Sequence, residues 1–334
     1  MNTTQRRNIK DVFMNNAIYF VLFILIAVIA IGESAFLSIT VLRDILLQTS
    51  TRIIIALGMG LILISGGVDL SCGRIVGLSV VITASLSQKL EYAARFFPNL
   101  PELPIIVPLV ACLIMGVIVG SINGIFITMV KVPPFIATLS TQLIVYGLAL
   151  MYFDLPPNSS QPIGGLRSDL TFLGSGYISF IPTIVVIVIF VISVMYIVYR
   201  YTEFGKNVYA IGSNRSAAEV AGVNVRKGLI MTYALGGSLF AFAGLLESAR
   251  TGGGSANYGT MYEFDAIAAC VVGGVSTTGG VGKVVNIVVG VLIFGVINYG
   301  LTFIGVSPYW QLVVKGLIIV SAVGLDIRKY LGRK

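Results

Sequence analysis

Residues 273–283 read GGVSTTGGVGK: glycines, hydroxyls and a closing lysine, the residue types that cradle the phosphates of a nucleotide. That chemistry needs G-x-x-x-x-G-K-[ST], with the lysine on the phosphates and the last hydroxyl on Mg²⁺. Here Val284 follows Lys283, and Thr277 stands where the first glycine belongs. Two defining positions fail, so no nucleotide site is expected. The glycines, Gly273 and Gly274 first among them, predict close helix packing or an unwound turn instead. Lys283 would then lie near the cytoplasmic boundary.

Asp69 stands in GGVDLS, residues 66–71, between two apolar runs. An ionisable group at membrane depth is costly and faces a cavity or a partner. Gly66 and Gly67 permit a broken helix. Asp69 would then cap the next helix by accepting its backbone N–H groups, or meet a transported solute, with Ser71 beside it and Arg74 as a counter-ion. Asn123, Thr138, Thr141 and Gln142, together with Phe135, are further pathway candidates. The polar ones would equally serve by bonding to neighbouring helices.

The polar stretch 201–228 contains GSNRSAAEVAGV, residues 212–223. Ser216 and Glu219 have the spacing of a capping box. Ala217, Ala218, Val220 and Ala221 are compatible with a helix, and Gly222 suits its stop. The spacing predicts a helix of under two turns, led in by Ser213 and Asn214. It is either a plain connector or a docking element for a separate ATPase. Glu247, Arg250, Glu263 and Asp265 flank a later loop and read as a solvated face or a contact with an extracellular partner.

The elements that position these residues follow from composition. Of 334 residues, 56% are hydrophobic and 11% charged, where a soluble domain has about 25% charged residues. The mean hydropathy is +0.95. The chain is therefore expected to be an all-α polytopic membrane protein, a single transmembrane domain over residues 1–334. Ten apolar segments of spanning length are read at 17–32, 50–65, 72–88, 105–130, 134–153, 181–199, 229–248, a broken 264–282, 284–304 and 309–325. Eight spans result if the two glycine-rich breaks are re-entrant hairpins. Helices at 17–153 and 229–325 then enclose an external loop at 154–180 and a cytoplasmic loop at 201–228. Gly116, Gly120 and Gly124, and again Gly73 and Gly77, form G-x-x-x-G packing faces. The Gly-Gly-Val at 66–68 and at 273–275 would suit an inverted repeat.

The net charge of +8 lies in loops, which points to the positive-inside rule rather than to nucleic acid. Lys206, Arg215, Arg226 and Lys227 mark 201–228 as cytoplasmic, as Arg328, Lys329, Arg333 and Lys334 mark the tail. Both termini are expected in the cytoplasm. The segment 154–180 has Arg167 against two aspartates and reads as external. The sequence has no histidine, which removes the usual general base and the commonest metal ligand. Cys72, Cys112 and Cys270 are far apart and read as packing residues, not as a zinc site or a disulfide framework. No catalytic or metal site is expected. Asp69 stands almost alone inside the spans, unlike the paired carboxylates of ion-coupled carriers.

Four motifs in order carry a resemblance: GGVDLSCGRIVGLS from residue 66, VPPFIATLSTQLIVYGLA from 132, TEFGKNVYAIGSNRSAAEVAGVNV from 202 and FDAIAACVVGGVSTTGGVGK from 264. Together they resemble the permease subunits of bacterial ABC sugar importers, the ribose/galactose/xylose branch, over about residues 18–330. Within it the likeness is greatest to the galactose-transporting members. The resemblance implies a bacterial cytoplasmic (inner) membrane location and passage of a monosaccharide by alternating access. The partners it implies are a cytoplasmic ABC ATPase, a periplasmic or lipid-anchored sugar-binding protein, a second copy of the chain, and membrane lipid. It implies no cofactor on this chain, since ATP and Mg²⁺ would be bound by the ATPase. Ser213, Asn214, Ser216, Ala217, Ala218, Glu219, Ala221 and Gly222 would form the coupling element. Permeases for ribose, nucleosides or branched-chain amino acids are the alternatives, and an ion-coupled carrier a more distant one.

Overall fold

The Ser38 Oγ accepts the Val41 N–H at 3.3 Å and opens helix α1, Ile39–Ile64. This start lies well before the expected residue 50. Arg43 and Asp44 look like a polar boundary in sequence, but both charges have partners within the fold. Asp44 accepts a hydrogen bond from the Tyr299 hydroxyl at 2.9 Å, and the Arg43 guanidinium lies over the Tyr177 ring. The computed structural model describes residues 34–331 together with Phe23, Ile26, Ala27 and residues 29–31. The expected first span at 17–32 falls largely outside them, as do Arg333 and Lys334.

Helices α2 (Cys72–Leu86), α3 (Ile106–Ile125) and α4 (Pro134–Phe153) follow. A π-helical turn, Phe126–Val130, extends α3. The expected external loop holds a short helix α5 (Ser168–Ser175) and a hairpin of β1 (Tyr177–Ile178) with β2 (Ile181–Pro182). Then come α6 (Thr183–Tyr201), α7 (Glu203–Ser213), α8 (Arg215–Val220), α9 (Val225–Thr251), α10 (Tyr262–Val272), α11 (Val284–Phe303) and α12 (Pro308–Leu331).

Among the described residues six helices are long and apolar enough to cross a membrane: α1, α3 with its π turn, α4, α6, α9 and α11. α2 and the 308–321 part of α12 are apolar but shorter. The expected segment at 264–282 is half helix, α10, and half turn. The protein is thus an all-α polytopic membrane protein whose interior is built on two helices. In α1 78% of the spanning window is buried and in α9 67%, against 28–33% in α3, α4 and α6. α9 packs against α1, α2, α3 and α5.

Glycines set how close these helices come. A Cβ on Gly116 or Gly120 would collide with the backbone of Gly237 or Tyr233 on α9, and one on Gly124 would lie 2.6 Å from Ile230 Cα. The expected packing face is therefore the seam between α3 and α9. Gly73 and Gly77 do the same on α2, against the backbone of Gly259 and Tyr258. All three cysteines are buried. Among the described residues α12 has no buried side chain, with Tyr309, Trp310, Leu312 and Leu317 at least half exposed.

The two Gly-Gly-Val motifs share one turn chemistry. Gly66 and Gly274 adopt φ of 80° and 78°, the left-handed cap that glycine permits. In each, the next amide reaches back across the helix end: Gly67 N–H donates to Ile62 at 3.0 Å and Val275 N–H to Cys270 at 2.9 Å. One motif closes the 26-residue α1, the other the 11-residue α10. The helix stop repeats in the two motifs, while the helices they stop occupy different places in the chain.

Candidate functional site

The stretch 201–228 folds as a helical hairpin rather than a loop with one helix. Thr202 caps α7 by accepting the Gly205 N–H at 3.0 Å. α8 is as short as predicted, but its cap differs. Asn214 Oδ1 accepts the Ala217 N–H at 3.0 Å, so Asn214 is the N-cap and Ser216 lies inside the first turn. The Ser216–Glu219 capping box is therefore not formed. Asn wins because its carbonyl reaches the third amide from an extended backbone, at φ −161° and ψ 105°. The stop at Gly222 is formed as expected, at φ 86°, with Val223 N–H donating to Ala218 at 3.0 Å.

Burial sorts the faces of α8. Ala218 is buried with Ile211, Val225 and Leu229. Ser213, Asn214, Ser216, Ala217, Glu219, Ala221 and Gly222 are exposed. Val220 is 91% exposed, an apolar side chain held out at the end of the bundle. α8 is thus a short helix pinned by one alanine and presenting one valine outward.

This hairpin is fastened to the spans through glycine. A Cβ on Gly212 would collide with the Ile64 carbonyl at the end of α1 and approach the Gly280 amide. Gly280 N–H donates to Ile64 at 2.8 Å. Tyr209 donates its hydroxyl to the Gly282 carbonyl at 2.8 Å, and burial pushes its phenol pKa up, keeping the proton in place. The sequence GGVSTTGGVGK is thus the turn between α10 and α11, wedged between the end of α1 and the end of α7. Lys283 is exposed at the start of α11.

Asp69 is fully buried and forms a small polar knot. Its Oδ1 accepts the Ser71 N–H at 2.8 Å and the Ser71 hydroxyl at 2.5 Å. Asn123 Nδ2 donates to Ser71 Oγ at 2.9 Å and to Asp69 Oδ2 at 3.4 Å. Tyr233 donates to the Val68 carbonyl at 3.1 Å, closing the knot against α9. Asp69 thus fixes the approach to α2. Arg74 is not its partner. It lies over the Tyr146 ring at 3.9 Å and reaches Thr260 at 3.3 Å. Thr138 is buried and donates to Pro134 of its own helix at 2.9 Å. Phe135 is 56% exposed on the outside. Gln142 reaches across to α10, donating to Glu263 at 3.4 Å.

The structure gathers a different set of polar residues. A cavity of about 320 Å³ lies between α1, α9, α10, α11 and α12, with Arg52, Glu247, Tyr262, Asp265, Asn298 and Lys315 among its walls. Glu247, expected on a solvated face, is 2% exposed. It takes Arg250 at 2.7 Å, the Thr51 hydroxyl at 2.8 Å and the Tyr262 hydroxyl at 3.2 Å. Lys315 on α12 pairs with Asp265 on α10 at 3.1 Å. The Arg52 guanidinium carbon lies over the Tyr262 ring, 3.1 Å from its centroid. Asp69 therefore has company inside the bundle. The signal was present in sequence as Arg52 and Lys315 inside apolar segments, where a charge marks a functional position. What the sequence lacked was their meeting, since they stand on helices at opposite ends of the chain.

Residues 41–323 match the family described as branched-chain amino acid transport system / permease component. The chain belongs to this permease family. The permease is 44% identical to the galactose/methyl galactoside import permease protein MglC of Haemophilus influenzae, over 100% of both chains. It is also 44% identical to MglC of Escherichia coli K12, again over 100% of both. The ribose import permease protein RbsC of Bacillus subtilis is 37% identical over 92% of this permease and 91% of its own length. No solved structure matches.

Proposed function

We propose that this permease forms the membrane pathway of an ATP-driven importer for a monosaccharide of the galactose/methyl galactoside type. A separate cytoplasmic ATPase binds ATP and Mg²⁺, a binding protein outside delivers the sugar, and two copies of the permease form the pathway in the bacterial inner membrane. The observation that carries the reading is α8. An exposed Val220 on a short helix, tied through Gly212 and Gly280 to the ends of α1 and α10, gives an external motor a handle on the spans around the cavity. The basic residues of 201–228 support a cytoplasmic position for this handle.

The sugar assignment draws on the two full-length matches to galactose/methyl galactoside permeases at 44%, above the ribose permeases at 34–37%. The test is reconstitution of the permease with its ATPase and binding protein in vesicles. ATP-dependent galactose uptake, with ribose a poor competitor, is expected. Uptake that persists in ATP-depleted vesicles under an ion gradient overturns the reading in favour of a coupled carrier. An impermeant thiol reagent applied to whole cells, with single cysteines at Ser213 or Ser159 in a cysteine-free background, reports orientation. Labelling at Ser159 and not at Ser213 is expected, and the reverse overturns it.

A further inference from the structure

We propose that the cavity between α1, α9, α10, α11 and α12 is a binding site for one neutral sugar ring, with Arg52 and Asn298 as its hydrogen-bonding poles. This rests on the import reading and adds where, inside the chain, the solute pauses.

Size comes first. At about 320 Å³ the cavity is far larger than the ~30 Å³ share of one water. It sits at the lower end of ligand cavities, roughly 300–1,000 Å³. That suits a single ring and not an oligosaccharide or a peptide.

The lining comes second. α11 is among the most apolar helices of the chain, with a spanning hydropathy of 2.2, yet it turns Asn298 to this space. Asn298 Oδ1 and Arg52 Nη1 are both buried and have no hydrogen-bond partner among the described residues. An unpaired buried polar atom is destabilising, and natural folds keep few of them. Two on the wall of one cavity, one acceptor and one donor, describe a hydroxyl-bearing occupant. A sugar hydroxyl donates and accepts, so one ring can give a hydrogen to Asn298 Oδ1 and accept one from Arg52 Nη1.

Charge comes third. Arg250 is paired with Glu247 and Lys315 with Asp265. Arg52 spreads its charge over the Tyr262 ring, a favourable cation–π placement. Each cation already has an internal partner, so the site suits a neutral polyol more than a sugar acid. Two hydrogen bonds without a charge pair also hold a solute loosely, as passage requires.

The test uses the assembled complex of permease, ATPase and binding protein in vesicles, with galactose, its monodeoxy analogues and galacturonate as probes. The wild-type complex is expected to take up one deoxygalactose roughly two- to tenfold less well than galactose, the worth of one hydrogen bond. Asn298→Leu is expected to abolish that preference, and Arg52→Lys to shift the preference at a second hydroxyl. Asn298→Ser, smaller and still polar, guards against misfolding and is expected to retain part of the discrimination. Co-purification of the complex checks assembly of each variant. A purely structural role for Asn298 would lower the amount of complex and leave the analogue preference intact. An assembled Asn298→Leu or Asn298→Ser complex with unchanged preference overturns the site while leaving the import reading standing. Competition by galacturonate stronger than by galactose overturns the neutral-ligand assignment. A wild-type complex that imports no galactose with ATP present overturns the import reading itself.

Discussion

The Gly280 amide donates to the Ile64 carbonyl at 2.8 Å, so the turn between α10 and α11 is bolted to the last residue of α1. Gly212 of α7 rests on the same carbonyl. The α7–α8 hairpin thus meets the end of α1 and the turn joining α10 to α11, three of the five helices around the cavity.

Gly212→Ala tests this junction. The added Cβ meets backbone atoms on two sides, which cannot swing away as a side chain would. The variant is expected to insert and assemble yet lose most ATP-driven uptake. Gly147→Ala on α4, where a Cβ meets nothing within 4 Å, is expected to transport normally. Uptake assays on the two variants, normalised to permease in the membrane, make the comparison.

Val220 and Ala218 separate docking from folding. Val220→Asp places a charge on an exposed position and is expected to leave the permease folded while sugar-stimulated ATP hydrolysis falls by tenfold or more, about 1.4 kcal/mol in binding. Ala218→Trp must be accommodated among Ile211, Val225 and Leu229, and overpacking costs typically 1–3 kcal/mol. It is expected to lower the melting temperature in detergent, which Val220→Asp does not.

Asn214→Ala removes the observed cap of α8 and is expected to cost about 0.5–2 kcal/mol of helix stability. Ser216→Ala is expected to be nearly silent. Amide hydrogen exchange across residues 215–220 ranks the two, and equal protection loss would return Ser216 to a capping role.

Glu247→Ala leaves the half-buried Arg250 without its ion-pair partner and Thr51 and Tyr262 without their acceptor, a loss of about 1–3 kcal/mol. Glu247→Gln keeps an acceptor for Thr51 and Tyr262 and is expected to cost less. Thermal unfolding of the purified permease measures both.

Residues whose partners are near in sequence were the legible ones. The start of α4 at Pro134, the stop at Gly222 and the turns at Gly66 and Gly274 are each decided by a few adjacent residues, and each was readable. Ser216 misled because Asn214 offers a better acceptor for the same turn, and spacing alone does not rank the two. α1 was read too short because the partner of Asp44 is Tyr299, 255 positions on. The cavity was out of reach for the same reason. Arg52, Glu247, Asp265, Asn298 and Lys315 stand on five different helices, and only packing around α1 and α9 makes them neighbours.

Trp310 is the one tryptophan in 334 residues, and it stands 64% exposed on α12 directly before Gln311, which lines the cavity. The permease thus carries a built-in optical label on α12. Quenchers attached to lipid tails, and the colour of the emission as sugar enters, can be read from the purified native chain at a single site, against no background from another indole of the same chain.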